Sequence, residues 1–152
     1  MKNMIAAVVL AMAVPGQGET VMQHATGAFE VKMTPQAQDE AGGVAMARMR
    51  VDKVFSGGLA ATASGEMLTA AGGVKGSAAY VLIERVTGTL DGKAGSFAFM
   101  HSATMNRGVP EQRITVVPDS GSGALAGLAG SMTMTITADG HFYDLAYTLA
   151  AR

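Results

Sequence analysis

The chain has 152 residues, a formal net charge of -1 and no cysteine. That length allows one domain with a real core. The missing thiols exclude disulfides, thiolate nucleophiles, zinc–thiolate sites and iron–sulfur clusters, and the lack of any Lys/Arg block excludes an electrostatic nucleic-acid footprint.

Residues 1–18, MKNMIAAVVLAMAVPGQG, have the three parts of a signal peptide: Lys2, the apolar run Met4 to Val14, and small residues after Pro15. The run is too short to cross a bilayer. Cleavage after Gly18 is expected. It leaves a single domain over 19–152, periplasmic or secreted, with no stable membrane anchor. A true start at Met22 would make the protein cytoplasmic instead.

From Gln23 onward the dominant period is two. Segment 24–33 (HATGAFEVKM) predicts a strand, and 34–43 (TPQAQDEAGG), polar with Pro35 and Gly42-Gly43, predicts a loop. Strands follow over 44–55 and 59–70, joined at Ser56-Gly57-Gly58. After the turn at Ala71-Gly72-Gly73 come two strands, YVLIERVTGTL and KAGSFAFMH, folded about Asp91-Gly92, a dipeptide suited to a type I′ turn. A short strand over 111–117 ends at Pro118, and a glycine-rich loop follows. A strand within 124–137 and a last one from His141 meet at Asp139-Gly140. That turn sets Ile136 opposite Tyr143, Met134 opposite Leu145 and Met132 opposite Tyr147.

The sum is an all-β chain of about eight strands with no convincing amphipathic helix after the signal. An eight-stranded antiparallel β-barrel is expected, because closure removes exposed edges. Such a barrel is just wide enough to be filled by side chains or to hold one small ligand. The twelve methionines fit either outcome, as core gap-fillers or as adaptable pocket lining.

The Asp91-Gly92 hairpin carries the candidate site. Its pairing sets Val86 opposite Phe97, Glu84 opposite Phe99 and Leu82 opposite His101. One face then holds Tyr80, Leu82, Glu84, Val86, Phe97, Phe99 and His101. Glu84 and His101 are diagonal neighbours, roughly 7–8 Å apart at the backbone, and are expected inside as a coupled pair. As a catalytic pair they would serve acid/base chemistry; as a structural pair they would fix the register. Tyr80, Leu82, Phe97 and Phe99, with Tyr143 of the last strand, are the candidate ligand-binding residues. The opposite face carries Val81, Ile83 and Met100, which if exposed suggests contact between copies of the chain in a homo-oligomer.

Other candidates are weaker. Glu66 could lie inside, with Lys53 on its face. Arg113, His24 and His141 read as exposed. Three dispersed histidines lack metal-ligand spacing, so no metal is expected. The Gly121–Gly130 stretch lacks the Lys-Ser/Thr end of a phosphate loop.

The stretches HATGAFEVKM, ERVTGTLDGKAGSFAFMHSATM and VVPDSGSGALAGLAGSMTMTI, with DGHFYDLAYTL, resemble the domain-of-unknown-function family 3224 over about residues 22–150. Glu84, Arg85, Gly88, Leu90, Gly92, Gly95, Ser96, Phe97 and His101 match its pattern. So do Gly121, Gly123, Leu125, Gly127, Leu128 and Gly130. The resemblance implies a barrel similar to allene oxide cyclase and dirigent proteins, which enclose an apolar cavity and often assemble as oligomers. The resulting expectation is an exported barrel that binds an apolar small molecule. If catalytic, it would be a cofactor-free isomerase or cyclase, with His101 moving a proton and Glu84 orienting it. The alternative is a structural or interaction barrel with a filled core.

Overall fold

Alternating apolar and polar side chains over most of the chain are satisfied by eight strands, which a computed structural model describes within residues 20–150. They are β1 (Gln23–Ala41), β2 (Val44–Gly57), β3 (Leu59–Ala71), β4 (Ala78–Leu90), β5 (Lys93–Asn106), β6 (Val109–Val116), β7 (Ala129–Thr137) and β8 (Gly140–Thr148). Each pairs antiparallel with the next, and β8 returns to β1, closing the barrel. The expected signal segment, residues 1–18, lies outside the described residues.

The β4–β5 hairpin has the expected register, with Leu90 opposite Lys93 and Leu82 opposite His101. Its turn residues Asp91 and Gly92 both have positive φ, 46° and 81°, as a type I′ turn requires. The β7–β8 hairpin differs from expectation. Thr137 pairs with Gly140, so the turn is Ala138-Asp139, and Met134 faces Tyr143 while Met132 faces Leu145. A slip of two residues leaves every side chain on its face. The inward assignment of Tyr143, Leu145 and Tyr147 therefore holds, while their cross-strand partners change.

Two other expectations are corrected. Segment 34–43 is not a loop: β1 continues to Ala41, paired with β2 up to Val44, and only Gly42-Gly43 turns. This arm is exposed along its length, so no alternation of hydrophobicity marks it as strand. Pro35 is accommodated beside a bulge between Pro35 and Ala37. The expected strand over 124–137 instead begins at Ala129. Before it, Gly123–Leu125 forms one turn of 3-10 helix.

The barrel is strongly staggered. A row of paired residues leaves β1 at Ala25 and passes through Leu145, Met132, Ile114, His101, Leu82, Met67 and Met49. It returns to β1 at Pro35, ten residues further along. Such stagger accompanies strands tilted about 35–45° to the barrel axis. It also divides the barrel into unlike ends. At the upper end, pairing of β1 with β8 stops at Phe29 and His141, and β6 and β7 share only two registered pairs. The upper parts of β1 to β6 therefore continue as an open sheet.

The lower end is filled. The segment after β6 folds beneath it, held by Val117 N–H to Ala98 O (2.9 Å), Ala98 N–H to Ser120 Oγ (3.0 Å) and Ser122 N–H to Ser96 O (2.8 Å). It inserts Leu125 and Leu128 into the main core with Ala25, Leu59, Leu90, Phe97 and Tyr147. The Tyr143 hydroxyl donates to Ser56 O (2.8 Å) and accepts from Leu59 N–H (2.9 Å), fastening β8 to the β2–β3 turn. Truncating this plug should open a cavity that the surrounding strands cannot close. Leu125→Ala should cost about 2–5 kcal/mol of unfolding free energy, against a change within about 0.5 kcal/mol for exposed Ile136→Ala, both read from urea denaturation midpoints.

Candidate functional site

Three ionisable side chains point inward where the main core meets a smaller apolar cluster of Val51, Met67 and Leu82. The period of two places each of them. Lys53 lies between Val51 and Phe55 on β2, Glu84 between Leu82 and Val86 on β4, and His101 after Phe99 on β5. All three are buried, with relative exposures of 7% for Lys53, 1% for Glu84 and 3% for His101.

Lys53 Nζ donates to Glu84 Oε1 at 2.7 Å. The two strands are not neighbours, since β3 runs between them. The lysine can cross because β3 presents Ala63 and Gly65 along that line, Ala63 opposite Lys53 and Gly65 opposite Glu84. A Cβ on Gly65 would collide first with the backbone oxygen of Ile83, and would lie 2.7 Å from Glu84 Cα and 2.8 Å from its Cβ. Only glycine lets β3 come this close to β4 beside Glu84.

The sequence pattern suggests an ion pair between Glu84 and His101, and the structure does not form it. Glu84 takes the lysine ammonium as its counter-ion. His101 Nε2 instead meets the Tyr80 hydroxyl at 2.9 Å, ring edge to ring face with centroids 5.0 Å apart. The physical reason is that a second buried cation beside Lys53 would be repelled, whereas an imidazole can remain neutral. Burial, and then the Lys53 ammonium, push the His101 pKa down to about 4, against a smaller opposing pull from the Gln112 side chain. Tyr80 is shifted upward by burial and then by the Glu84 charge, so its phenol keeps its proton.

Two polar atoms in this cluster have no hydrogen-bond partner: Glu84 Oε2 and His101 Nδ1. A carboxylate oxygen can only accept, while neutral imidazole offers one donor and one acceptor. The cluster therefore presents a fixed carboxylate beside an uncharged imidazole. That is a set of groups able to orient a polar ligand atom or to exchange a proton with it.

The expected ligand-binding residues divide between the two ends. Tyr80 and Leu82 border the polar cluster from above, in the apolar cluster with Met49 and Val31. Phe99 is the cross-strand partner of Glu84 and stacks edge to face on Phe97 at 4.9 Å. Phe97, Phe99 and Tyr143 are packed in the main core. Glu66 is exposed on the outer face opposite Arg50, so it does not share a face with Lys53. Arg113 and His24 are exposed, and His24 pairs with Asp144 at 2.8 Å. His141 is half-buried and stacked on Phe29. Val81, Ile83 and Met100 are exposed on the outer wall beside Leu68. Among the described residues, no group of three or more His, Asp or Glu side chains is arranged to hold a metal ion.

Lys53 is the member of the buried cluster that the sequence pattern left undervalued. Its signal was available in VDKVF: a charge at an inward position between two apolar residues, as in LIERV around Glu84.

Two outcomes follow from this geometry. Removing one member of the ion pair leaves an uncompensated buried charge, so Lys53→Met or Glu84→Leu alone should cost about 3–5 kcal/mol. The double variant should return to wild-type stability or up to about 4 kcal/mol above it. Denaturant titration of the four proteins checks this, and additive losses would refute it. For His101, the unfolded chain binds a proton near pH 6.5 that the folded protein refuses until about pH 4. Stability should therefore fall as pH drops through that window, by at most about 3 kcal/mol. His101→Gln should flatten that limb in denaturation curves recorded from pH 7 to 4.

The family described as "Protein of unknown function (DUF3224)" matches residues 25–147. A crystal structure of a DUF3224-family protein with unknown function from Shewanella oneidensis MR-1 is 43% identical, with a TM-score of 0.82 over 87% of this chain and 100% of that one. No curated protein matches the chain.

Proposed function

The chain belongs to the DUF3224 family of proteins of unknown function, and from that premise we propose that it is an exported barrel binding an apolar small molecule at the upper end of its interior. The observation that carries this reading is the pair of deeply buried polar atoms without a partner, Glu84 Oε2 and His101 Nδ1. Each such atom costs about 1–3 kcal/mol if nothing satisfies it. They lie beside Leu82, Met67 and half-buried Met49 and Tyr80. An apolar wall with a few convergent polar groups is the composition of a ligand site. Export rests on the three-part pattern of residues 1–18.

The ligand lies against Tyr80, Leu82, Lys53, Glu84 and His101. It does not reach Phe97 or Tyr143, whose surroundings are already occupied by the main core. If the site is catalytic, the reaction class it suits is proton transfer without a cofactor, as in an isomerisation or cyclisation. The free oxygen of Glu84 would take the proton while the His101 ring holds the ligand by a hydrogen bond.

A second reading has its own support. The main core fills the lower barrel, and Phe97 and Phe99 are almost fully buried. A barrel filled throughout would be structural, with the polar cluster as internal glue. Native mass spectrometry of protein purified gently from the exported fraction separates the two. We expect a mature chain beginning near Glu19 that carries an apolar adduct. The adduct should be absent from His101→Gln and from Lys53→Met/Glu84→Leu, both of which should remain folded. A bare wild-type mass would hand the cluster to the structural reading.

A further inference from the structure

The balance of charge around the two unpartnered atoms narrows the ligand class; this rests on the binding reading above. The buried polar or charged residues of the described chain are Lys53, Glu84 and His101. Lys53 and Glu84 cancel in their 2.7 Å ion pair, so the cluster has no net charge to offer a charged ligand. A carboxylate head would face the free Oε2 of Glu84, which can only accept. An ammonium head would be drawn to that oxygen but repelled by Lys53, and it could accept nothing from His101. Either would lose its hydration without a counter-ion of its own.

The Tyr80 contact assigns the histidine tautomer. The Tyr80 hydroxyl and His101 Nε2 are 2.9 Å apart, and since a phenol is a stronger donor than acceptor, the arrangement inferred is donation from the hydroxyl to Nε2. The ring proton then sits on Nδ1, a buried atom that forms no hydrogen bond of good geometry, with the Gln112 side chain near the ring as the competing acceptor. Glu84 and His101 are diagonal on one inward face, since Glu84 pairs with Phe99 and Leu82 with His101. One buried acceptor and one buried donor therefore lie on adjacent strands of the same inward face.

We propose that the upper interior selects an aliphatic ligand whose uncharged head group donates a hydrogen bond to Glu84 Oε2 and accepts one from His101 Nδ1–H, as an alcohol or a primary amide does. Its chain lies along Met49, Met67 and Leu82, toward the open upper end.

Four probes with one chain length test this at pH 7: octanamide, N,N-dimethyloctanamide, octanoate and octylammonium. Binding is read from the ring resonances of His101, with His24 and His141 as internal references. Octanamide should shift the His101 signals saturably. The other three should bind at least about tenfold more weakly, since each loses a hydrogen bond to a charged group or strands a charge. The free protein should show the ring proton on Nδ1. Octanoate or octylammonium binding as well as octanamide would overturn the charge selection while leaving the binding reading intact. Equal binding of the dimethyl amide would overturn the role of Glu84 as acceptor, and a ring proton on Nε2 would overturn that of His101 as donor. If none of the four moves the His101 signals, the binding reading fails and the selection with it.

Discussion

A lysine and a glutamate facing each other inside a closed barrel constrain much of what surrounds them. The Lys53–Glu84 pair forms across β3, and the strand between presents the small residues Ala63 and Gly65 there. Taking two ions out of water costs several kcal/mol each, which only close mutual contact offsets. Burial first, and then the neighbouring Lys53 ammonium, keep His101 neutral, and its Nε2 meets Tyr80. The ion pair, the small residues of β3, the neutral histidine and the tyrosine on it thus form one buried unit.

The stagger of the barrel explains why this cluster sits where it does. A ten-residue offset around the wall leaves the upper parts of β1 to β6 without cover from β7 and β8. The loop carrying Leu125 and Leu128 plugs the other end. The larger apolar cluster includes that plug, and the polar groups lie where it meets the smaller cluster of Val51, Met67 and Leu82. Their free atoms, Glu84 Oε2 and His101 Nδ1, are therefore at the end where the wall opens.

The Asp91-Gly92 hairpin was legible in full, because a two-residue turn with positive φ at both positions and an alternating pattern on both strands admit one register. The β7–β8 hairpin was legible only in its faces. Gly140 reads as a turn residue but is the first residue of β8, and a slip of two costs nothing in alternation. The β1 arm beyond Met33 was illegible as strand, since it is exposed and carries neither alternation nor apolar content. Of the site, Glu84 and His101 could be placed inside because their neighbours at i±2 are apolar. Lys53 has the same signature in VDKVF, but its significance depends on a partner two strands away.

The amino-acid sequence by itself determined the class of the fold, the number of strands and the inward face of most of them. Each of these follows from local periodicity and turn chemistry within a few residues of chain. Tertiary structure alone decided which inward groups meet. Partners such as Lys53 and Glu84, or Tyr143 and the β2–β3 turn, are brought together by the stagger of the closed barrel and by the small residues in the gap between them. No local pattern encodes that stagger, because it is a property of all eight strands closing at once.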